Sequence, residues 1–311
     1  MSAELVREAE GKPGARSRNE ILKRIYQQKA LYLFVVPILL LYSLFSLYPI
    51  AQTFYLSFFD AKIVRLGKFM GIKNYSAILA DKYFRQAFGN SLLFTFGSIV
   101  FILVVSLGLS VLVNSPRVKF KTFFKVVYFL PVVTSPIAVG YVWKWLYDPT
   151  YGLINAFLAL ARIPPVNWLG SVHVAMYAMI IVNVWKWIGY FMVIFLANLQ
   201  VIDTTYYEAA AIDGAGAIQQ FLYVTLPLLR RAIVLTVVLG IVSFIKGFAL
   251  VFVMTQGGPA GRTELMATYI YRQAFQTGFL RFGYSSAGSM VLFVLVMFFT
   301  VVANKMGVEE G

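Results

Sequence analysis

Six apolar stretches, each long enough to cross a bilayer as a helix, constrain this chain more than any other feature. A bilayer core of roughly 30 Å needs about 20 consecutive apolar residues in helical form. Residues 31–59, 87–113, 122–146, 172–199, 232–254 and 284–303 meet that length. Lipid offers no partner for a free amide or carbonyl, so such runs must satisfy their backbone internally. The predicted fold is therefore all-α: a polytopic membrane protein of six transmembrane helices. Composition agrees, since 60% of residues are hydrophobic and 13% are charged, where a soluble domain carries about a quarter charged. With no cysteine and a single histidine, thiolate sites and disulfides are excluded, and neither a metal site nor a catalytic cluster is expected.

The formal net charge of +14 reads as an orientation signal toward anionic headgroups of membrane lipid rather than as a nucleic-acid footprint. Lys and Arg number seven in residues 1–29, four in 114–125, two in 200–231 and one in 304–311. The opposite loops carry six, one and three. The balance, fourteen against ten, predicts both termini on the cytoplasmic side of a bacterial or archaeal inner membrane. The N-terminal region reads as a cytoplasmic segment (1–30) and not as a signal peptide. The transmembrane domain spans 31–303, with a cytoplasmic loop at about 200–231 and a tail at 304–311. Ile21, Leu22, Ile25 and Tyr26 recur at helical spacing among basic residues, as do Phe120, Phe123, Phe124 and Val127. Both patterns predict short helices in the headgroup layer with snorkelling lysines.

Prolines punctuate two spans. Pro37 and Pro49 predict a kink or an interfacial turn in the first, and Pro131 and Pro136 predict local unwinding in the third. Thr134 and Ser135 are placed to satisfy the backbone groups freed there.

The polar 200–231 loop is the informative exception to a greasy chain. Thr205-Tyr-Tyr-Glu208 has the form of a capping box, predicting a short helix to about Asp213. Gly214 and Gly216 permit a turn. A second helix carrying Phe221 and Val224 leads to Pro227, placed to open the fifth span. Tyr207, Ala210 and Ala211 share one face of the first helix.

The spacing Glu208-Ala209-Ala210, three residues, Gly214, nine residues, Val224, then Leu226-Pro227 resembles the cytoplasmic signature loop of permease subunits in binding-protein-dependent ABC importers. Asp213, Ala215 and Phe221 match as well, although Ile202-Asp-Thr-Thr-Tyr departs from the usual proline-containing lead-in. The resemblance implies a coupling helix that docks on an ATP-hydrolysing subunit. In that role Glu208 and Asp213 hold helix ends and meet basic residues, Tyr207 anchors the interface, Gly214 makes the bend and Leu226-Pro227 fix the loop. It also implies an ABC-type ATPase dimer that binds ATP and Mg, a second homologous permease, an extracytoplasmic solute-binding protein, and transport by alternating access. The chain itself needs no cofactor, and it has no G-x-x-x-x-G-K-[ST] sequence of its own. Thr255-Gln-Gly-Gly-Pro259, Thr263, Thr268-Tyr-Ile-Tyr271 and Phe282-Gly-Tyr284, with Trp185-Lys-Trp187 before the loop, resemble the carbohydrate and glycerol-phosphate-ester permeases in their compact six-span form.

Sugar sites need aromatic faces and amide or hydroxyl edges. Asn183, Trp187, Tyr190 and Asn198 form one stripe of the fourth span with Ile194, and are expected along the translocation path; Tyr141, Ser243 and Phe244 are further candidates. The same stripe could instead pack against neighbouring spans, its polar tips bonded between helices. Lys186 lies mid-span, where insertion costs roughly 2.5–3.5 kcal/mol, so it should face a cavity, a carbonyl or an acid on another subunit; a strut role is preferred for it and for Lys246. The alternative class, a self-sufficient secondary transporter or channel, commonly relies on intramembrane acids. None lies inside the six stretches.

Overall fold

The computed structural model describes residues 29–62, 65–276, 278 and 280–308. The expected interfacial helix around Ile21–Tyr26 lies outside the described residues. The chain divides into two units, Met1–Thr53 and Phe54–Gly311.

In the first unit, α1 (Lys29–Tyr42) runs through Pro37 into a π turn, Ser43–Leu47, and on into α2 (Tyr48–Leu56), within which the unit ends at Thr53. Pro49 has no amide to give the preceding turn, and the wider π turn just before it absorbs that loss. The predicted kink is thus a change of helical pitch.

The second unit begins in the last turn of α2 and continues through a loop that ends in α3 (Lys73–Ala80), followed by α4 (Lys82–Asn114). The helix α4 starts five residues before the apolar stretch because Asp81 caps it. One carboxylate oxygen accepts from the Tyr83 amide at 2.8 Å. The other accepts from the hydroxyls of Tyr269 and Tyr284 at 2.7 and 2.8 Å. Burial works to raise this carboxyl, but the two hydroxyls and the Tyr83 and Phe84 amides outweigh it and hold it below its ordinary value. One side chain thereby ties three segments.

The third apolar stretch is two helices, α5 (Lys121–Val133) and α6 (Pro136–Leu146), meeting at 100°. Unwinding at Thr134–Ser135 is as predicted, but the turn is far sharper than a kink. Of the Phe120–Val127 stretch, Phe120 caps α5 and the rest forms its first half. After α7 (Leu153–Leu160), α8 (Ala175–Leu199) crosses as one unbroken span. Next come the loop helices α9 (Thr204–Ile212), α10 (Ala217–Gln220) and α11 (Leu226–Leu228), the latter two joined by a π turn.

The fifth stretch, expected as one helix over 232–254, is also broken. Its parts are α12 (Arg230–Phe244) and α13 (Ala249–Met254). Gly247 allows the break, because a Cβ there would lie 2.9 Å from Phe244 O and 3.2 Å from Leu265 and Phe94. A short helix, α14 (Met266–Tyr271), precedes the last span, α15 (Phe282–Val308). Among the described residues, four helices are long and apolar enough to cross alone, and two bent pairs bring the number to as many as six. No strand forms among the described residues, only an isolated bridge between Phe59 and Phe69.

The core of the second unit lies between α4, α8 and α12. Ser91, Thr95, Ser98, Ser106 and Ser110 of α4 are all buried, most of them three to four residues apart. Small side chains let membrane helices approach closely where no hydrophobic drive separates helix from lipid. Phe94, Ile102, Met179, Val182, Phe191 and Phe244 fill the space around them.

Among the described residues, α8 and α5 approach closely at Gly189, where a Cβ would overlap the backbone carbonyl of Tyr128 on α5. Gly189→Ala should push α5 off α8 and cost about 1–3 kcal/mol. The expected result is a lowered unfolding midpoint of the purified protein, and an unchanged midpoint would contradict this packing.

Candidate functional site: a loop turned outward and a cavity at the break of the fifth span

Two groups of candidate residues emerge, one at the 200–231 loop and one on the wall of the broken helices.

In the loop, α9 begins two residues earlier than expected. Its cap is Asp203, not Thr205: the Asp203 carboxylate accepts from the Thr205 amide at 2.9 Å. The amide and hydroxyl of Thr205 hold the Asp203 carboxyl below its ordinary value. Asp203 wins because its extended backbone precedes the first helical residue, whereas Thr205 already lies inside α9. Glu208 is thus freed from the predicted capping box and stands exposed mid-helix.

The helix ends in a Schellman motif. The Ala215 amide bonds to Ala210 O at 2.9 Å and the Gly214 amide to Ala211 O at 3.0 Å. Gly214 takes φ +80°, and a Cβ added there would meet nothing within 4 Å, so conformation rather than space demands glycine here. Gly216 is extended and carries no such demand; its amide donates to the Gln219 side chain at 2.8 Å, starting α10. Pro227 does not open the fifth span. It precedes a 64° bend, and α12 starts beyond Leu229.

These candidates separate into two faces. Glu208, Ala209 and Asp213 are exposed. Tyr207 is turned inward, its hydroxyl 3.0 Å from the hydroxyl of buried Thr225 in a shared hydrogen bond. It is therefore an internal tie and not the outward anchor expected. Ala210 and Ala215 are half-buried with it, while Ala211 is exposed. Phe221 and Leu226 pack on Leu107, Phe195 and Leu229. The outer face also presents Ile212, 87% exposed, and Ile218, 76% exposed. Both were missed in the sequence, where an isoleucine within a polar loop was the available signal.

At the far end of α12 from the loop, a cavity of about 270 Å³ opens where that helix breaks. It brings together Asn183, Trp187, Ser243 and Phe244 with Lys186 and Lys246. Tyr190 stands edge-on to Trp187 at 5.8 Å. Asn198 bonds to Ile194 O at 2.9 Å and stays outside the cavity, as does exposed Tyr141 on α6. The Asn183 amide donates to Ser98 at 2.9 Å, so its polar tip joins two helices while its flank borders the cavity.

Lys186 is buried, and its ammonium donates to the carbonyls of Pro131, Val132 and Thr134 at 2.9, 3.2 and 2.7 Å. These are the acceptors left over where α5 ends. The strut reading holds for Lys186, with backbone as its partner. Lys246 lies exposed on the cavity rim and has no ion-pair partner among the described residues. No group of His, Cys, Asp and Glu able to hold a metal occurs among the described residues.

Broken membrane helices around a largely apolar cavity that carries a few polar groups, with a helix–turn–helix loop projecting from one end, define a polytopic translocation subunit. The chain belongs to the family of binding-protein-dependent transport system inner membrane components, whose sequence pattern it matches over residues 105–305. It is 31% identical over 297 residues to the arabinooligosaccharides transport system permease protein AraP of Bacillus subtilis, covering 94% of each chain. It is 31% identical to the trehalose/maltose transport system permease protein MalF of Thermococcus litoralis, covering 89% of this chain and 92% of that one. The lactose transport system permease protein LacF of Rhizobium radiobacter is 33% identical over 88% of this chain and 92% of its own. The fold is similar to that of a chain from a bacterial ABC transporter involved in the import of the acidic polysaccharide alginate. That match has a TM-score of 0.81 at 22% identity, covering 93% of this chain and 98% of the other.

Replacing Lys186 by Met keeps its length and removes its donors. The carbonyls of Val132 and Thr134 lose their partner, while that of Pro131 keeps the Thr134 hydroxyl. The cost is about 1–3 kcal/mol, so the unfolding midpoint of the purified protein should fall. Lost uptake with an unchanged midpoint would make Lys186 a substrate group instead.

Proposed function

We propose that this chain is one half of the pore of an ATP-driven importer for a saccharide or related solute. The pore is a pair of homologous permeases, and a separate ATPase dimer binds ATP and Mg. An extracytoplasmic binding protein delivers the solute, and both termini of this chain are cytoplasmic. The observation that carries the proposal is the outward face of α9. Glu208, Ala209, Ile212 and Asp213 stand exposed beside a glycine turn in a chain that has no P-loop of its own. The saccharide named in each of the three permease relatives supports the solute class.

In this mechanism the ATPases grip α9 on its exposed face. Asp213 and Glu208 offer carboxylates to basic residues, and Ala209 lets the partner backbone come close. Phe221 and Leu226 carry the motion to the membrane end of the loop, where they pack on α4, α8 and α12. The cavity behind Trp187, Tyr190 and Phe244 then opens to alternate sides. Trp187 and Tyr190 supply aromatic faces to a sugar ring, and Asn183, Ser243 and Lys246 supply polar edges, Asn183 through the capacity its bond to Ser98 leaves free.

Gly214→Val introduces a β-branched residue at φ +80°, a conformation costing roughly 1–2 kcal/mol for an L-residue. Uptake should fall at least about tenfold with insertion into the membrane unchanged; normal uptake would sink the coupling role. Trp187→Ala should raise the KM for uptake or alter solute choice while the complex still assembles. Unchanged transport kinetics would remove Trp187 from the path.

A further inference from the structure

On the far side of α8 from the pathway cavity, a groove of about 580 Å³ runs between α4, α5 and α8. Its walls are apolar: Val105, Val127, Leu130, Ile181, Val184 and Ile188. With 3.6 residues per turn, Ile181 and Ile188 are turned roughly 100° or more from the Asn183–Trp187–Tyr190 stripe, and Val184 lies between the two faces, about 60° from Trp187. The groove therefore faces away from the path, toward the surrounding membrane. It ends against Pro131 and Thr134, where α5 turns into α6.

The other end of the groove is basic. Lys121, Lys125 and the groove residue Tyr128 follow one another at one-turn spacing along α5, with Arg117 and Lys119 just ahead of the helix. Lys121 is tied down, donating to Asn114 O at 2.9 Å. Arg117, Lys119 and Lys125 have no ion-pair partner among the described residues. The sequence offers no local counter-ion either, for no Asp or Glu occurs between residues 82 and 147. An apolar recess with an uncompensated cationic rim matches a molecule with an apolar chain and an anionic head.

We propose that the groove and its basic rim bind one anionic glycerophospholipid. An acyl chain fills the recess, and the headgroup phosphate sits between Lys119 and Lys125. The dimensions agree: from Lys121 to Thr134 the helix rises about 20 Å, against about 15 Å of hydrocarbon in one leaflet. Lysines at this depth reach the headgroup layer by snorkelling, and basic pockets between membrane helices hold acidic headgroups by this chemistry. The site pins α5, whose end Lys186 holds and whose flank Gly189 admits. It is independent of which solute is carried.

The test is native mass spectrometry of the intact transporter after exposure to equal amounts of phosphatidylglycerol and phosphatidylcholine. The wild type should retain one phosphatidylglycerol in preference to phosphatidylcholine. The Lys119→Ala/Lys125→Ala variant should lose that preference by about 30-fold, the effect of removing two headgroup-level cations. Lys119→Arg/Lys125→Arg should keep it, which a misfolded protein would not do. Val184→Trp, filling the recess with the rim intact, should release either lipid. Equal retention of both lipids by the wild type, or unchanged preference in the alanine variant, overturns the proposal. So does a photocrosslinker at position 127 that captures the second permease instead of lipid.

Discussion

A helix that breaks inside a bilayer leaves carbonyls with no water to turn to, and each one left unpaired costs energy. Here the break at Thr134–Ser135 is met by one ammonium group, together with the Thr134 hydroxyl, which donates to Pro131 O at 2.6 Å. Lys186 reaches across from α8 and takes three carbonyls of the α5 terminus. The exchange is mutual: the lysine finds the acceptors that make its own burial tolerable, and the carbonyls find donors. Because α5 can end there, α6 can leave at 100°. Because α6 leaves, Pro136 comes to border the cavity together with Trp187 and Phe244. Close contact at Gly189 then fixes how α5 lies along α8.

The same arrangement gives α8 two different sides. One carries Asn183, Trp187 and Tyr190 toward the broken fifth span, and the other presents branched aliphatics to the groove. The polar stripe of α4 serves the first side: Ser98 takes the Asn183 amide, and small side chains bring α4 near enough for that bond to form. Hydrogen bonding and close approach therefore work together at the wall of the cavity, where either alone would leave a polar group stranded in lipid.

Much of this was legible in the sequence, and the limits are instructive. Apolar length located the spans, and Pro131 with Pro136 located the unwound segment, because both signals act through the backbone of the residues that carry them. The 100° turn was not legible, since its direction depends on where Lys186 finds acceptors, and a backbone carbonyl leaves no mark in the residue pattern. The break at Ile245–Phe248 carried only the faint signal of Gly247. At the loop, Asp203 and Thr205 were both able to cap a helix, and backbone conformation decided between them. Tyr207 read as an outward anchor because helical spacing gives a face but not its direction. That direction is set by Thr225, eighteen residues on.

The bond between Tyr207 and Thr225 has a mechanical consequence. Gly214 gives the loop its sharp corner, and corners are where a chain ordinarily yields. Yet the corner here is spanned by a strut: the hydroxyl pair closes α9 onto the π turn that follows α10. Two short helices braced in this way behave as one stiff bracket. The compliance is displaced to the ends of the bracket, at Gln200–Asp203 and at the 64° bend near Leu229. In the coupling role proposed above, a push on the exposed face of α9 would reach the foot of α12 as rotation, with little of it spent in flexing the loop.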